Sequence, residues 1–123
     1  PENVTDAEVY TVMNGNFVFK HAVTRFPETM TEALESAGKT VADLDMFIPH
    51  QANLRIAQFV QNKMGLPDDK VFNNIQKYGN TTAASIPIAL SEAIEQGKVK
   101  RGDLVLLSAF GSGFTWGSVL FNY

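Results

Sequence analysis

Apolar positions along this chain change their period several times, and each change marks an element. Phe19, Val23, Phe26, Met30, Leu34 and Ala37 recur three and four residues apart, which predicts a helix with one buried face. Pro27 interrupts that run. An interior proline costs a helix about 3 kcal/mol, so a kink or two abutting helices is expected there, with Gly38 as the stop. Upstream, Val9 to Met13 is β-branched and aromatic and reads as a strand, followed by a turn at Asn14-Gly15-Asn16. Downstream, Met46-Phe47-Ile48 is a short buried strand ending at Pro49-His50. Ile56, Val60 and Met64 restore helical spacing over Asn53 to Met64, with Gly65 in the C-terminal cap position and Pro67 just beyond.

The rest of the chain continues the alternation. Val71 to Ile75 reads as another short strand, and Ala83 to Ile94 as an Ala-rich helix stopped by Gly97. Thr81, Thr82 and Ser85 are its candidate N-caps, and Pro87 fits only within its first turns. Leu104 to Ala109 and Thr115 to Phe121 read as two strands joined by a hairpin connection at Phe110-Gly111-Ser112-Gly113-Phe114. There is no internal repeat or low-complexity tract. The pattern implies an α/β architecture, a mixed β-sheet covered by helices.

Composition narrows the function. A chain of 123 residues, 45% hydrophobic and 19% charged, can bury a core. Its net charge of −3 argues against a nucleic-acid module, which needs cations to neutralise phosphates. Leu104 to Phe110, broken by Ser108, is too short to cross a bilayer, so no membrane role is expected. With no cysteine there is no disulfide, thiolate metal site or cysteine nucleophile, and two histidines make no zinc site unaided. The chain opens on Pro1 rather than Met, which is read as a cut from a longer chain.

Several motifs dissolve on inspection. Gly111-x-Gly113-x-x-x-Gly117 leads into a strand rather than a helix, unlike a dinucleotide loop. Ser112 lacks the spacing and the strand-to-helix turn of a nucleophile elbow. His50 is different, because it ends a strand where α/β folds place ligands and precedes a helix through Gln51-Ala52-Asn53. A second small, polar helix opening lies at Tyr78-Gly79-Asn80-Thr81-Thr82-Ala83-Ala84-Ser85. Its glycine permits close backbone approach, although Asn80 also suits a simple cap. Together His50 and Asn80 supply two hydrogen-bond donors suited to a carbonyl oxygen that becomes an enolate. What the pair lacks is a nucleophile.

Three strings give a resemblance: Pro49-His50-Gln51-Ala52-Asn53-Leu54-Arg55-Ile56, Gly79-Asn80-Thr81-Thr82-Ala83-Ala84-Ser85-Ile86-Pro87, and Ala109-Phe110-Gly111-Ser112-Gly113-Phe114-Thr115-Trp116-Gly117. In this order they closely resemble the C-terminal part of the β-ketoacyl-[acyl-carrier-protein] synthase III family of thiolase-like condensing enzymes, from about Met13 to the end. The resemblance implies half of a thiolase-like fold, with residues 1–123 as the C-terminal domain of a Cys-His-Asn acyltransferase whose cysteine lies on the absent N-terminal half. It implies a decarboxylative condensation of an acyl-CoA primer with malonyl-acyl-carrier protein, initiating fatty acid synthesis, with no cofactor and no metal.

Carried over by resemblance, His50 and Asn80 hold the malonyl thioester carbonyl, and the Ser112 backbone N–H is half of the oxyanion hole. Phe110 lines the wall by the cysteine, and Asn53 with the backbone near Gly15 holds the pantetheine arm. Arg55, ahead of Lys20 and Lys63, docks the acidic carrier protein. The partners implied are acyl-carrier protein, acyl-CoA, the N-terminal half and a second copy in a cytoplasmic homodimer; the fragment alone is expected to be inactive. Competing readings are a non-catalytic thiolase-like binding domain and a relative such as a polyketide or hydroxymethylglutaryl-CoA synthase.

Overall fold

The computed structural model describes residues 14–111 and 114–123, so the expected strand at Val9 to Met13 and the residues Ser112 and Gly113 lie outside the described residues. The first element is a single helix, α1 (Gly15–Ser36), and it runs unbroken through Pro27. The expected division at Pro27 is therefore not present as two helices. Ala22, Phe26, Pro27, Met30 and Leu34 are all buried on one face, and burial of that stripe outweighs the hydrogen bond that proline cannot make. Nor is Asn14-Gly15-Asn16 a free turn: Asn14 is the N-cap, its side-chain oxygen accepting from the Phe17 N–H at 3.2 Å.

Strand β1 (Met46–Pro49) is buried at every position, as a parallel strand covered on both faces should be. Helix α2 (Leu54–Met64) follows, capped by the Asn53 side chain, which accepts from the Arg55 N–H at 2.9 Å. It closes on Gly65, whose φ of 68° is left-handed backbone that glycine adopts without strain. The expected strand at Val71 to Ile75 is reduced to one parallel bridge between Val71 and Phe47, with the Phe72 N–H donating to the Phe47 carbonyl at 3.0 Å. Ile75 instead opens α3 (Ile75–Tyr78), a single turn. The reason is a side chain far away in sequence: buried Gln51 accepts from the Asn74 and Ile75 N–H groups at 2.9 and 3.0 Å, turning the backbone out of extended pairing.

A 3₁₀ turn at Thr82–Ala84 leads into α4 (Ser85–Glu95), which places Pro87 within the first turn. None of the three candidate caps bonds the start of this helix through its side chain; the N-cap is Ala84. Strands β2 (Leu104–Gly111) and β3 (Thr115–Asn122) form the antiparallel hairpin, paired from Leu104 with Asn122 to Gly111 with Thr115. The sheet order is β1-β2-β3, with β1 parallel to β2, hence mixed.

Alternation sorts the core into two halves. Phe47, Leu104 and Leu106 pack with Ala22, Phe26, Met30, Ile56 and Val60 of α1 and α2. Met46, Ile48 and Val105 face the other way, onto Ala89 and Ala93 of α4. Helices cover both faces, and the carboxyl end of β1 opens between them. A short polar chain also ties α1 to the hairpin, Thr29 Oγ1 to Ser118 Oγ at 2.8 Å and Ser118 Oγ to Ser108 Oγ at 2.6 Å.

Gln51→Leu removes the acceptor from two backbone N–H groups and is expected to lower stability by about 2–5 kcal/mol, because each orphaned donor costs roughly 1–3 kcal/mol. Urea denaturation checks this, and a loss below about 1 kcal/mol would mean that water replaces the side chain.

Candidate active site

The last rung of β1 is where the chemistry begins. The His50 N–H donates to the Ser108 carbonyl at 2.7 Å, so the imidazole leaves the sheet in a fixed place. Gln51 turns back, its amide Nε2 donating to the Pro49 carbonyl at 2.7 Å. The ring of His50 is partly buried, and its Nδ1 is hydrogen-bonded to the Ser85 hydroxyl at the start of α4. Burial holds the His50 pKa below the ordinary 6.5, because it disfavours the imidazolium. Burial thus favours the neutral imidazole.

Asn80 arrives on a separate loop. Gly79 before it has φ 66° and ψ −158°, a combination open to glycine, and a Cβ there would meet nothing within 4 Å. Glycine is thus required here for its backbone conformation, and the open space beside it leaves the backbone approachable. The Asn80 side-chain oxygen accepts from the Thr82 N–H at 2.8 Å, which leaves the NH₂ as the group able to meet a ligand. Thr82 itself has φ 54°, uncommon for a β-branched residue and a mark of local backbone strain.

These two loops meet on one cavity of about 550 Å³. His50, Asn80, Asn53, Gly15 and Phe110 all line it, so five of the residues singled out from sequence come together. Its floor is apolar, with Phe26, Phe47, Ile56 and Val60 reaching into the core. A shallower hollow of about 370 Å³ shares His50, Thr82 and Phe110 with it and adds Ser85, Ala83, Ala109 and Trp116. Phe110 stacks on Trp116 at 6.2 Å between ring centres, and Phe114, Phe17 and His21 continue an aromatic rim.

Ser112 lies outside the described residues, and the basic residues stand apart from the cavity. Arg55 is exposed with its guanidinium 5.6 Å from the Phe19 ring, beside exposed Lys20. Lys63 sits in the last turn of α2, roughly 12 Å further along the helix axis. Among the described residues none of the three is paired with a carboxylate. Sequence reasoning missed Ser85, weighed only as a cap, and Gln51, quoted only within a motif. A serine at a helix start carries no signal of a partner 35 residues away.

Comparison with known proteins now decides the family. The profile of the 3-oxoacyl-[acyl-carrier-protein (ACP)] synthase III C-terminal domain matches residues 34–123. The chain belongs to the 3-oxoacyl-[acyl-carrier-protein] synthase III family. It is 55% identical over 114 residues to β-ketoacyl-[acyl-carrier-protein] synthase III of Aquifex aeolicus, covering 93% of this chain and 37% of that protein. The crystal structure of the 3-oxoacyl-[acyl-carrier-protein] synthase III from Aquifex aeolicus superposes with a TM-score of 0.92 at 54% identity, over 97% of this chain and 39% of that one. The corresponding synthase III from Thermus thermophilus gives 0.92 at 43% identity, over 100% and 38%. The fold is thiolase-like, and the chain spans about 37% of the length of this curated synthase III relative. Among the described residues no helix is long and apolar enough to cross a membrane.

The depressed pKa has a sign that can be checked. A histidine whose folded pKa lies below its unfolded value adds stability above about pH 6.5 and loses it as pH falls through the folded pKa. His50 should therefore titrate below 6.5 by NMR, assigned against His50→Gln. The variant should also remove part of the acid-side loss of stability; a midpoint at or above 6.5 would contradict the burial argument.

Proposed function

We propose that this chain is the C-terminal catalytic part of a 3-oxoacyl-[acyl-carrier-protein] synthase III, contributing the His and Asn of a Cys-His-Asn triad. The observation that carries the reading is the convergence of His50 and Asn80, from separate loops, on one cavity with an apolar floor. In the proposed reaction an acyl-CoA first transfers its acyl group to a cysteine of the N-terminal half. A malonyl thioester on acyl-carrier protein then loses carbon dioxide, and the electron pair of the broken C–C bond delocalises onto the thioester oxygen as an enolate. His50 and Asn80 donate hydrogen bonds to that oxygen, in a site where water is partly excluded. The enolate carbon attacks the acyl thioester and the cysteine leaves as thiolate, so no cofactor or metal is required.

Asn53 and the backbone at Gly15 border the cavity where a pantetheine arm would lie, and Phe110 forms the wall towards the cysteine. The Ser112 N–H is assigned to the oxyanion hole by family resemblance. Arg55, with Lys20 and Lys63, forms a basic rim outside the cavity for an acidic carrier protein, since unpaired cations steer encounter best. Exposed Trp116 and Val119, on opposite faces of the edge strand β3, and exposed Ala83 and Ala84 are apolar positions that the N-terminal half would cover. The whole enzyme is proposed to work as a cytoplasmic homodimer.

Within the intact enzyme, His50→Ala and Asn80→Ala should each slow malonyl decarboxylation by roughly 10²–10³. Acylation by acetyl-CoA should fall far less, and equal damage to both half-reactions would reduce the two residues to scaffold. This chain alone, having no cysteine, should gain no acetyl mass from acetyl-CoA.

Arg55→Glu should weaken use of malonyl-acyl-carrier protein strongly, and more so at low salt, while acylation changes little. A mutant-to-wild-type ratio indifferent to salt would remove Arg55 from docking.

A further inference from the structure

We infer that Ser85 is a positioning residue that holds His50 in the tautomer protonated on Nε2, so that the ring offers a donor to the cavity. The inference deepens the proposed function and rests on it only for its catalytic consequence. Ser85 is 2% exposed and is the first residue of α4, one position past the Ala84 N-cap, where a serine hydroxyl is one residue from capping its own helix. It makes no such cap. Its oxygen is met instead by two groups from the end of β1: the Gln51 backbone N–H at 3.3 Å, and Nδ1 of His50.

Proton counting settles which way these bonds run. A backbone N–H can only donate, so the Ser85 oxygen accepts from Gln51. The hydroxyl retains one proton, and among the described residues the partner remaining for it is Nδ1 of His50. Were Nδ1 the protonated nitrogen, the serine would accept twice and its own proton would be buried without an acceptor. The lower-energy arrangement is therefore Ser85 O–H donating to the Nδ1 lone pair, with the single proton of the neutral ring on Nε2. Burial favours the neutral ring, in which the tautomer is the remaining choice.

The same logic governs the other loop. The Thr82 N–H occupies the Asn80 oxygen and commits that amide to presenting its NH₂. Two hydrogen bonds, one from a serine hydroxyl and one from a backbone amide, thus turn two ambivalent side chains into donors on one cavity.

Long-range ¹H–¹⁵N correlation spectra of ¹⁵N-histidine-labelled protein in its complete form read the tautomer directly. His50 is assigned by comparison with His50→Gln, at a pH above its titration. The expected wild-type pattern is a bare Nδ1 and a protonated Nε2. Ser85→Ala should lose that preference, while Ser85→Thr, which keeps the hydroxyl, should retain it. Decarboxylation should fall about 10-fold or more in Ser85→Ala, short of the roughly 10²–10³ for removing the donor itself, with little change in KM.

An Nδ1-protonated ring in the wild type, or a tautomer indifferent to Ser85→Ala, overturns the assignment even if a variant proves hard to fold. An Nε2-protonated ring that depends on Ser85, in a protein that decarboxylates no malonyl thioester, would uphold Ser85 and sink the proposed function instead.

Discussion

The parallel pairing of β1 with β2 ends in one hydrogen bond, from the His50 N–H to the Ser108 carbonyl at 2.7 Å, and the site is built outward from that rung. A parallel strand buried on both faces tolerates no slip in register, because moving one residue would exchange Phe47 for Ile48 between two differently filled halves of the core. The position of His50 is thereby decided by packing rather than by its own contacts. The side chain that follows it spreads the same constraint sideways. Gln51 binds the backbone where the Asn80 loop begins, and its own N–H meets the serine where that loop ends. Strand end and loop are thus tied to each other at both ends of the loop.

Local signals in the sequence were sufficient wherever the energetics are local. Helix α2 was legible to its ends because its periodic face, its Asn53 cap and its Gly65 stop all act within a turn or two. The hairpin was legible for the same reason. Pro27 does not divide the helix in two, because the rule for proline counts a lost hydrogen bond, whereas this helix is held by a buried stripe from Ala22 to Leu34. Val71 to Ile75 misled because β-branched composition says nothing of Gln51, which lies 23 and 24 residues from the amides it binds.

The site divides along the same line. His50 was conspicuous as a histidine at a strand end, and Asn80 as a polar residue after glycine, yet nothing in their spacing says that they meet. The resemblance supplied that, and the shared cavity gives it a geometry. Ser85 stayed invisible because a serine at a helix start already has an adequate explanation, and its long-range bond replaces that explanation rather than adding to it. Backbone strain at Thr82, φ 54°, was equally hidden, since a β-branched residue is a poor choice for that conformation.

The chain contains a single tryptophan, and the fold has put it on the hairpin beside the shallower hollow. Trp116 lies nearly parallel to Phe110, at an interplanar angle of 8°, with the Arg25 guanidinium 5.2 Å from its ring. Phe110 in turn borders both hollows that His50 faces. An indole that is 40% exposed, with a cation and a stacked aromatic ring as its neighbours, has an emission set by both. The emission of that one indole is therefore a label-free probe placed at the wall that the two hollows share through Phe110.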